Sequence, residues 1–219
     1  MAGGVAHSQS SECAIFTPEK QRATAPNEAI TKLMAGNERF VAGKTVNCDL
    51  MQQVKATASG QSPFAAILGC IDSRAPPELV FDQRIGDVFC ARIAGNFVNT
   101  DIIGSLEFAT KFAGARAIVV LGHTECGAIK GAVDDVKLGN LTAMLENFKP
   151  AIATLSKADG TRDSKNYKLV QKVADQNVLL GVASLTQRSA VLKELVDSGE
   201  LKIVGAMHDL ATGKVAWML

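Results

Sequence analysis

Two short stretches of the chain carry residues able to hold a soft cation: Cys70-Ile-Asp72-Ser-Arg74 and His123-Thr-Glu-Cys126. Thiolates and an imidazole together suit zinc, a borderline-soft ion. Three protein ligands, Cys70, His123 and Cys126, leave a fourth position open, the mark of a catalytic rather than a structural site. Asp72 is the residue that would close it. Arg74 is placed to hold that carboxylate off the metal, because a guanidinium grips a carboxylate with two parallel hydrogen bonds. Each motif alone recurs by chance; their joint placement after two similar apolar runs gives the reading its weight.

Those runs are the elements that must position the ligands. Residues 64–69 lead through Gly69 into Cys70, and residues 117–122 lead through Gly122 into His123. A third run, residues 87–94, follows a turn at Ile85-Gly86, and residues 103–112 have helical spacing closed by Gly114. Near-continuous apolar strands separated by helices predict a parallel sheet covered on both faces. Such sheets bind ligands beyond the carboxyl ends of their strands, so two adjacent strand ends bring the three ligands together.

Upstream, Ile30, Leu33, Met34 and Phe40 share one helix face over residues 27–41, with Asn27 as N-cap and Gly43 as stop. Downstream, residues 127–138 and 141–156 read as helices, with Pro150 at a start or kink. Residues 167–196 read as at least two more, and residues 202–209 and 214–218 as a terminal hairpin at the sheet edge. The expected fold class is α/β. A central, mostly parallel sheet of four strands plus an edge strand is flanked by helices, with a projecting N-terminal helix. Residues 1–26 read as a flexible tail and residues 27–219 as one domain.

The 219 residues are 47% hydrophobic, enough for one large core. With 23 Lys+Arg against 22 Asp+Glu, the net charge of +1 gives no electrostatic reason to expect nucleic acid or an anionic membrane as partner. No apolar run approaches the roughly 18–20 residues of a membrane helix. The first dozen residues lack the apolar core of a secretory signal; they read as a tail, or as what remains after a targeting segment is trimmed. Five cysteines, an odd number in a chain too long to need staples, argue against a disulfide framework. They favour metal or thiol chemistry in a reducing compartment, so the cytoplasm is expected. A periplasmic or organellar location is the alternative if a targeting segment has been removed. Cys13, Cys48 and Cys90 sit in unrelated contexts, and Cys90 is expected to be a small buried hydrophobe.

The pair C-x-D-S-R and G-H-x-x-C-G resembles the signature of the β-carbonic anhydrase family, in its plant-type, open-site bacterial-like branch. Further matches are Gly60-Gln61-Ser62-Pro63, Gly86-Asp87-Val88-Phe89, Arg92-Ile-Ala-Gly-Asn96, Gly104-Ser-Leu-Glu-Phe108 and Gly205-Ala-Met-His-Asp209. They run from about Asn27 to the C-terminus. The resemblance implies reversible hydration of carbon dioxide to bicarbonate and a proton by a zinc-bound hydroxide. One Zn2+ per subunit would be held by Cys70, His123 and Cys126, with Asp72 and Arg74 as the catalytic pair. Asp72 would join the metal only in a closed state. In relatives that adopt that state, a bicarbonate site uses a Trp, an Arg and a Tyr; here those positions hold Ile67, Arg92 and His208, so the open kind is expected.

The resemblance also assigns substrate-pocket roles to Gln61, Phe89, Ala94, Phe108 and Gly127. Phe108 stands where relatives usually carry Tyr, and plain core packing is the competing reading for Phe89 and Phe108. Some pocket residues in the family come from a second subunit, which implies a homodimer or tetramer. Of the three histidines, His123 is committed to zinc and His7 lies in the tail, leaving His208 as a poor candidate for proton export. The same zinc site would serve a carbonyl sulfide or carbon disulfide hydrolase. A zinc-stabilised binding protein without turnover is a second class. A redox thiol protein is a third, disfavoured because neither Cys70 nor Cys126 lies in a CxxC pair.

Overall fold

The computed structural model describes residues 13–219. Among the described residues, five strands form one sheet in the order β2-β1-β3-β4-β5. β1 (Ala65–Gly69) and β3 (Ala117–His123) are buried along their whole length, as their unbroken apolar sequence requires of central parallel strands. β2 (Val88–Arg92) and β4 (Lys202–His208) flank them in parallel, and β5 (Val215–Met218) closes the sheet antiparallel to β4. The expected four strands plus an edge strand are present.

Alternation along the strands builds two cores. Ala66, Leu68, Ile118 and Val120 face one side, while Ala65, Ile67, Val119 and Leu121 face the other. Ten α-helices occur among the described residues: α1 (Pro18–Ala23), α2 (Pro26–Val41), α3 (Leu50–Thr57), α4 (Pro77–Val80), α5 (Thr100–Glu107), α6 (Gly127–Val133), α7 (Gly139–Leu145), α8 (Lys149–Ile152), α9 (Tyr167–Arg188) and α10 (Ala190–Asp197). Helices α5 to α10 supply the first core, with Ile103, Ile129, Val173 and Val178 among its members. The second core takes Ala29, Ile30 and Leu33 from α2, and Phe81. None of the helices among the described residues is long and apolar enough to cross a membrane.

Several boundaries differ from the sequence reading. Helix α2 starts at Pro26 behind Ala25, not at an Asn27 cap, because proline's fixed φ and missing N–H suit the first helical turn. The segment 141–156 is not one helix: a 3-10 turn at Glu146–Phe148 separates α7 from the short α8, where Pro150 occupies the first turn. Helix α6 stops at Val133, short of residue 138. Helix α5 runs on into a π-helical turn at Phe108–Phe112.

Two expectations for the N-terminal region need correction. Residues 13–26 are packed, not loose: Gln21 of α1 is buried and donates its Nε2 to the carbonyls of Pro63 and Ala113, both at 2.7 Å. The remaining expected tail, with His7, lies outside the described residues. Cys13 and Cys48 also form a disulfide, against the argument from an odd cysteine count. The count misled because it mixes uses: two cysteines join each other, two lie in the ligand cluster, and Cys90 is partly buried in β2.

Candidate metal centre

Strands β1 and β3 are neighbours, so their carboxyl ends deliver both motifs to one place. The side-chain donor atoms of Cys70, His123 and Cys126 all lie within 4.8 Å of one another, and all three residues are buried. Gly122 sets how closely β3 approaches helix α9. A Cβ there would stand 2.6 Å from Val178 Cγ2, so only glycine lets the strand lie this close just before His123.

The histidine is already oriented. Its Nδ1 lies 2.8 Å from the Thr124 carbonyl, which fixes the proton on that nitrogen, while the buried Nε2 makes no hydrogen bond. A free imidazole lone pair facing two sulfurs fits zinc by donor type and number.

The sulfurs sit among donors. The Gly95 N–H reaches Cys70 Sγ at 3.1 Å and the Asp72 N–H at 3.4 Å. With the Cys126 thiol foremost, then His123 and these two N–H groups, the surroundings pull Cys70 down to about 4 against the opposing effect of burial. The resulting anion, with burial, pushes Cys126 up, although the Ala128 and Ile129 N–H groups at the start of α6 work the other way. A divalent cation bound here would need both sulfurs as thiolates and would release the protons they carry. Burial works to lower the His123 pKa, and the neighbouring Cys70 sulfur more than reverses it.

Asp72 and Arg74 form the expected pair. Arg74 donates Nε to Asp72 Oδ1 at 2.9 Å and Nη2 to Oδ2 at 2.7 Å, and its backbone N–H adds a third bond at 2.9 Å. The Arg74 hydrogen bond is the main reason the Asp72 carboxyl is held well below the usual carboxylate range. Asp72 Oδ2 nevertheless stays 3.9 Å from His123 Nε2, beside the ligands but committed to the guanidinium.

Two groups outside the motifs brace this loop. Arg92 donates Nε to the Cys70 carbonyl at 2.8 Å and Nη2 to the Asp72 carbonyl at 2.7 Å. Gly95 has φ +74, and a Cβ there would meet Phe148 Cζ at 2.4 Å; its carbonyl accepts from Asn177 Nδ2 at 2.9 Å. The bracing by Gly95 and Asn177 was not foreseen. The glycine inside Arg92-Ile-Ala-Gly-Asn96 was the available signal, since a lone glycine after a strand marks close backbone approach.

The carbonic anhydrase family model matches residues 65–215, which spans both motifs. The chain belongs to the β-carbonic anhydrase family. Carbonic anhydrase 2 of Mycobacterium tuberculosis strain H37Rv is 36% identical over 197 residues, covering 87% of this chain and 92% of that protein. The carbonic anhydrase of Mycolicibacterium smegmatis is 34% identical over 196 residues, with the same coverages of 87% and 92%. Among solved structures, a tetrameric β-carbonic anhydrase of Sordaria macrospora superposes with TM-score 0.67 at 28% identity, over 75% of this chain and 84% of that one. The β-carbonic anhydrase CafA of Aspergillus fumigatus gives 0.66 at 26% identity, over 86% and 90%.

The residues expected to line a β-carbonic anhydrase pocket do not converge within one chain. Phe89 and Phe108 do meet, edge to face at 6.2 Å, along a groove of about 700 Å³ between β2 and α5. Phe108 is 49% exposed and stacks on Phe112, so it is not a core residue in the single chain. Ala94 follows the carboxyl end of β2, and Gly127 is the exposed first residue of α6, next to Cys126. Gln61 lies before β1, at the opposite end of the strand from Cys70; the five residues of β1 alone span about 16 Å. His208 pairs in register with His123, is 2% exposed, and neither ring nitrogen has a hydrogen-bond partner. Burial, then the nearby His123, lowers its pKa and keeps the ring neutral.

Proposed function

We propose that this β-carbonic anhydrase interconverts carbon dioxide and bicarbonate at a single zinc ion per subunit. Cys70, His123 and Cys126 hold the ion, and Asp72 and Arg74 act in the open arrangement. The observation that carries the reading is the aspartate: its carboxylate lies beside the ligand cluster, yet both oxygens are engaged by Arg74.

Bound zinc supplies Lewis acidity that makes water a competent nucleophile near neutral pH. The protein's own groups do the rest. Asp72 stays ionised under the Arg74 guanidinium and presents a lone pair that orients the attacking water and keeps its other lone pair turned toward substrate. Gly95 and Asp72 N–H groups hold Cys70 as a thiolate, and Arg92 keeps the loop from shifting. His208, neutral and enclosed, is a poor route for protons, so the proton leaves through water or buffer on the exposed side of Asp72 and Arg74.

Gln61 supports an assembly of at least two subunits. Standing at the far end of β1 from Cys70, it serves the centre only from a neighbouring copy. Phe108 and Phe112, exposed beside the partly buried Phe89 along the β2 edge, supply an apolar surface for that copy to cover. The assembly is a homodimer or a tetramer built on it.

Stopped-flow hydration of carbon dioxide by the zinc-loaded protein tests the reading, with hydrolysis of carbonyl sulfide measured in parallel. Hydration orders of magnitude above the buffer rate is expected. A rate equal to buffer, or a carbonyl sulfide rate exceeding that for carbon dioxide, would overturn it.

A further inference from the structure

Cys13 and Cys48 have no part in the metal centre, yet they are joined across a sequence separation of 35 residues, with Cα atoms 5.6 Å apart. The bond ties the segment before α1 to the loop between α2 and α3. Cys13 is 4% exposed, and its carbonyl accepts from Nε2 of the buried Gln53 on α3 at 3.2 Å. Three residues on, Phe16 packs its ring 4.8 Å from that of Phe64, immediately before β1. Gln21 then reaches the carbonyls of Pro63, before β1, and Ala113, before β3. A covalent bond, an aromatic contact and two hydrogen bonds therefore fasten residues 13–21 across the amino ends of the two strands that carry the ligands at their other ends.

We propose that the Cys13–Cys48 disulfide is a structural clasp, formed in an oxidising compartment where this enzyme works, that secures the amino end of the sheet without entering the chemistry. Its formation is an exchange with an oxidant of the disulfide class. The Cys13 and Cys48 thiols lose two electrons and two protons between them as one S–S bond forms, and the oxidant's S–S bond is reduced to two thiols. Cys90 does not compete in this exchange, because burial pushes its thiol well above the ordinary range and leaves little thiolate. Disulfides of this kind persist in secreted and periplasmic proteins and are rare in the cytosol, so the clasp reverses the cytoplasmic expectation drawn from cysteine count. The inference stands apart from the proposed reaction, since the bond lies at the end of the sheet away from the ligands.

The decisive experiment quenches cells that produce the protein in acid, alkylates free thiols, and maps the cysteines by mass spectrometry without reduction. Cys13 and Cys48 are expected joined, with Cys70, Cys90 and Cys126 alkylated; five alkylated cysteines would overturn the proposal. On the purified holoenzyme, a reductant should lower Tm by about 8–15 °C, the size expected for opening a loop of this length in a chain of this size. The Cys13→Ser/Cys48→Ser variant should melt where reduced wild type melts and ignore the reductant, with zinc content and carbon dioxide hydration at 25 °C unchanged. A wild-type Tm unmoved by reductant would overturn the structural role, and should the double variant fail to fold, the reductant titration of wild type decides alone.

Discussion

At the carboxyl ends of β1 and β3, backbone N–H groups reach the Cys70 sulfur, Arg74 grips the Asp72 carboxylate and Arg92 holds the Cys70 carbonyl. At the amino ends of the same strands, a disulfide, an aromatic pair and a buried glutamine join segments distant in sequence. The first arrangement holds two of the four left-handed non-glycine residues among the described residues. Asn96 (φ 45) and Glu125 (φ 57) are non-glycine residues in the left-handed region, and both lie in loops next to the ligands. Such conformations cost roughly 1–3 kcal/mol each and persist where surrounding structure holds them in place. The second arrangement has little to do with chemistry and much to do with holding the strands level. One end of the sheet is built for reaction and the other for retention, and substitutions should sort accordingly.

The largest effect is expected from Cys70→Ser. Loss of one thiolate should strip zinc to well below one per chain and lower hydration by roughly 10³-fold or more, read by elemental analysis beside stopped-flow kinetics. Asp72→Asn keeps the ligands but removes the ionised acceptor. It should retain zinc and lose roughly 10²–10³-fold in kcat/KM, and zinc loss from this variant would mean that Asp72 is a permanent ligand. Arg74→Ala frees the carboxylate to swing onto the metal, for an expected loss of about 10–100-fold with zinc retained. At the other end, Gln21→Ala leaves the Pro63 and Ala113 carbonyls without their donor. About 1–3 kcal/mol of stability should be lost in urea unfolding with kcat/KM unchanged; a large activity loss there would break the division between the two ends.

The smallest effect is one of pH. Asp72 has a folded pKa below its unfolded value, chiefly through its hydrogen bond to Arg74. Its contribution to stability is therefore complete above the unfolded carboxyl value of about 3.9 and declines as pH falls below it toward the folded value. Asp72→Asn should accordingly flatten the stability profile below about pH 4, and an unaltered profile would mean that the pair is energetically idle.

The reactive end was legible in sequence because its residues are local to strand ends. Cys70 and His123 each follow a continuous apolar run, and parallel strands bring their carboxyl ends together without further information. The terminal hairpin was equally legible, since two short apolar runs around a Thr212-Gly213 turn are short-range signals. The retaining end was not. Nothing near Cys13 points to Cys48, because a pairing across 35 residues depends on how α1, α2 and α3 fold over the sheet. Gln21 falls within the stretch that reads in sequence as a flexible tail, and its role appears only once Pro63 and Ala113 are brought beside it. Gln61 was assigned to the pocket by resemblance, yet the length of β1 separates it from the ligands of its own chain. Sequence periodicity carries no information about which subunit a residue serves.

The proposed function rests on an ion held by Cys70, His123 and Cys126, on which hydration depends. Its most direct test is to measure carbon dioxide hydration and metal content on one preparation as isolated, after removal of metal by a chelator, and after zinc is restored. One zinc per chain is expected, with activity that falls to the buffer rate in proportion to zinc removed and recovers on its return. Full hydration by the metal-free protein, or a fully zinc-loaded protein that never exceeds the buffer rate, would contradict it.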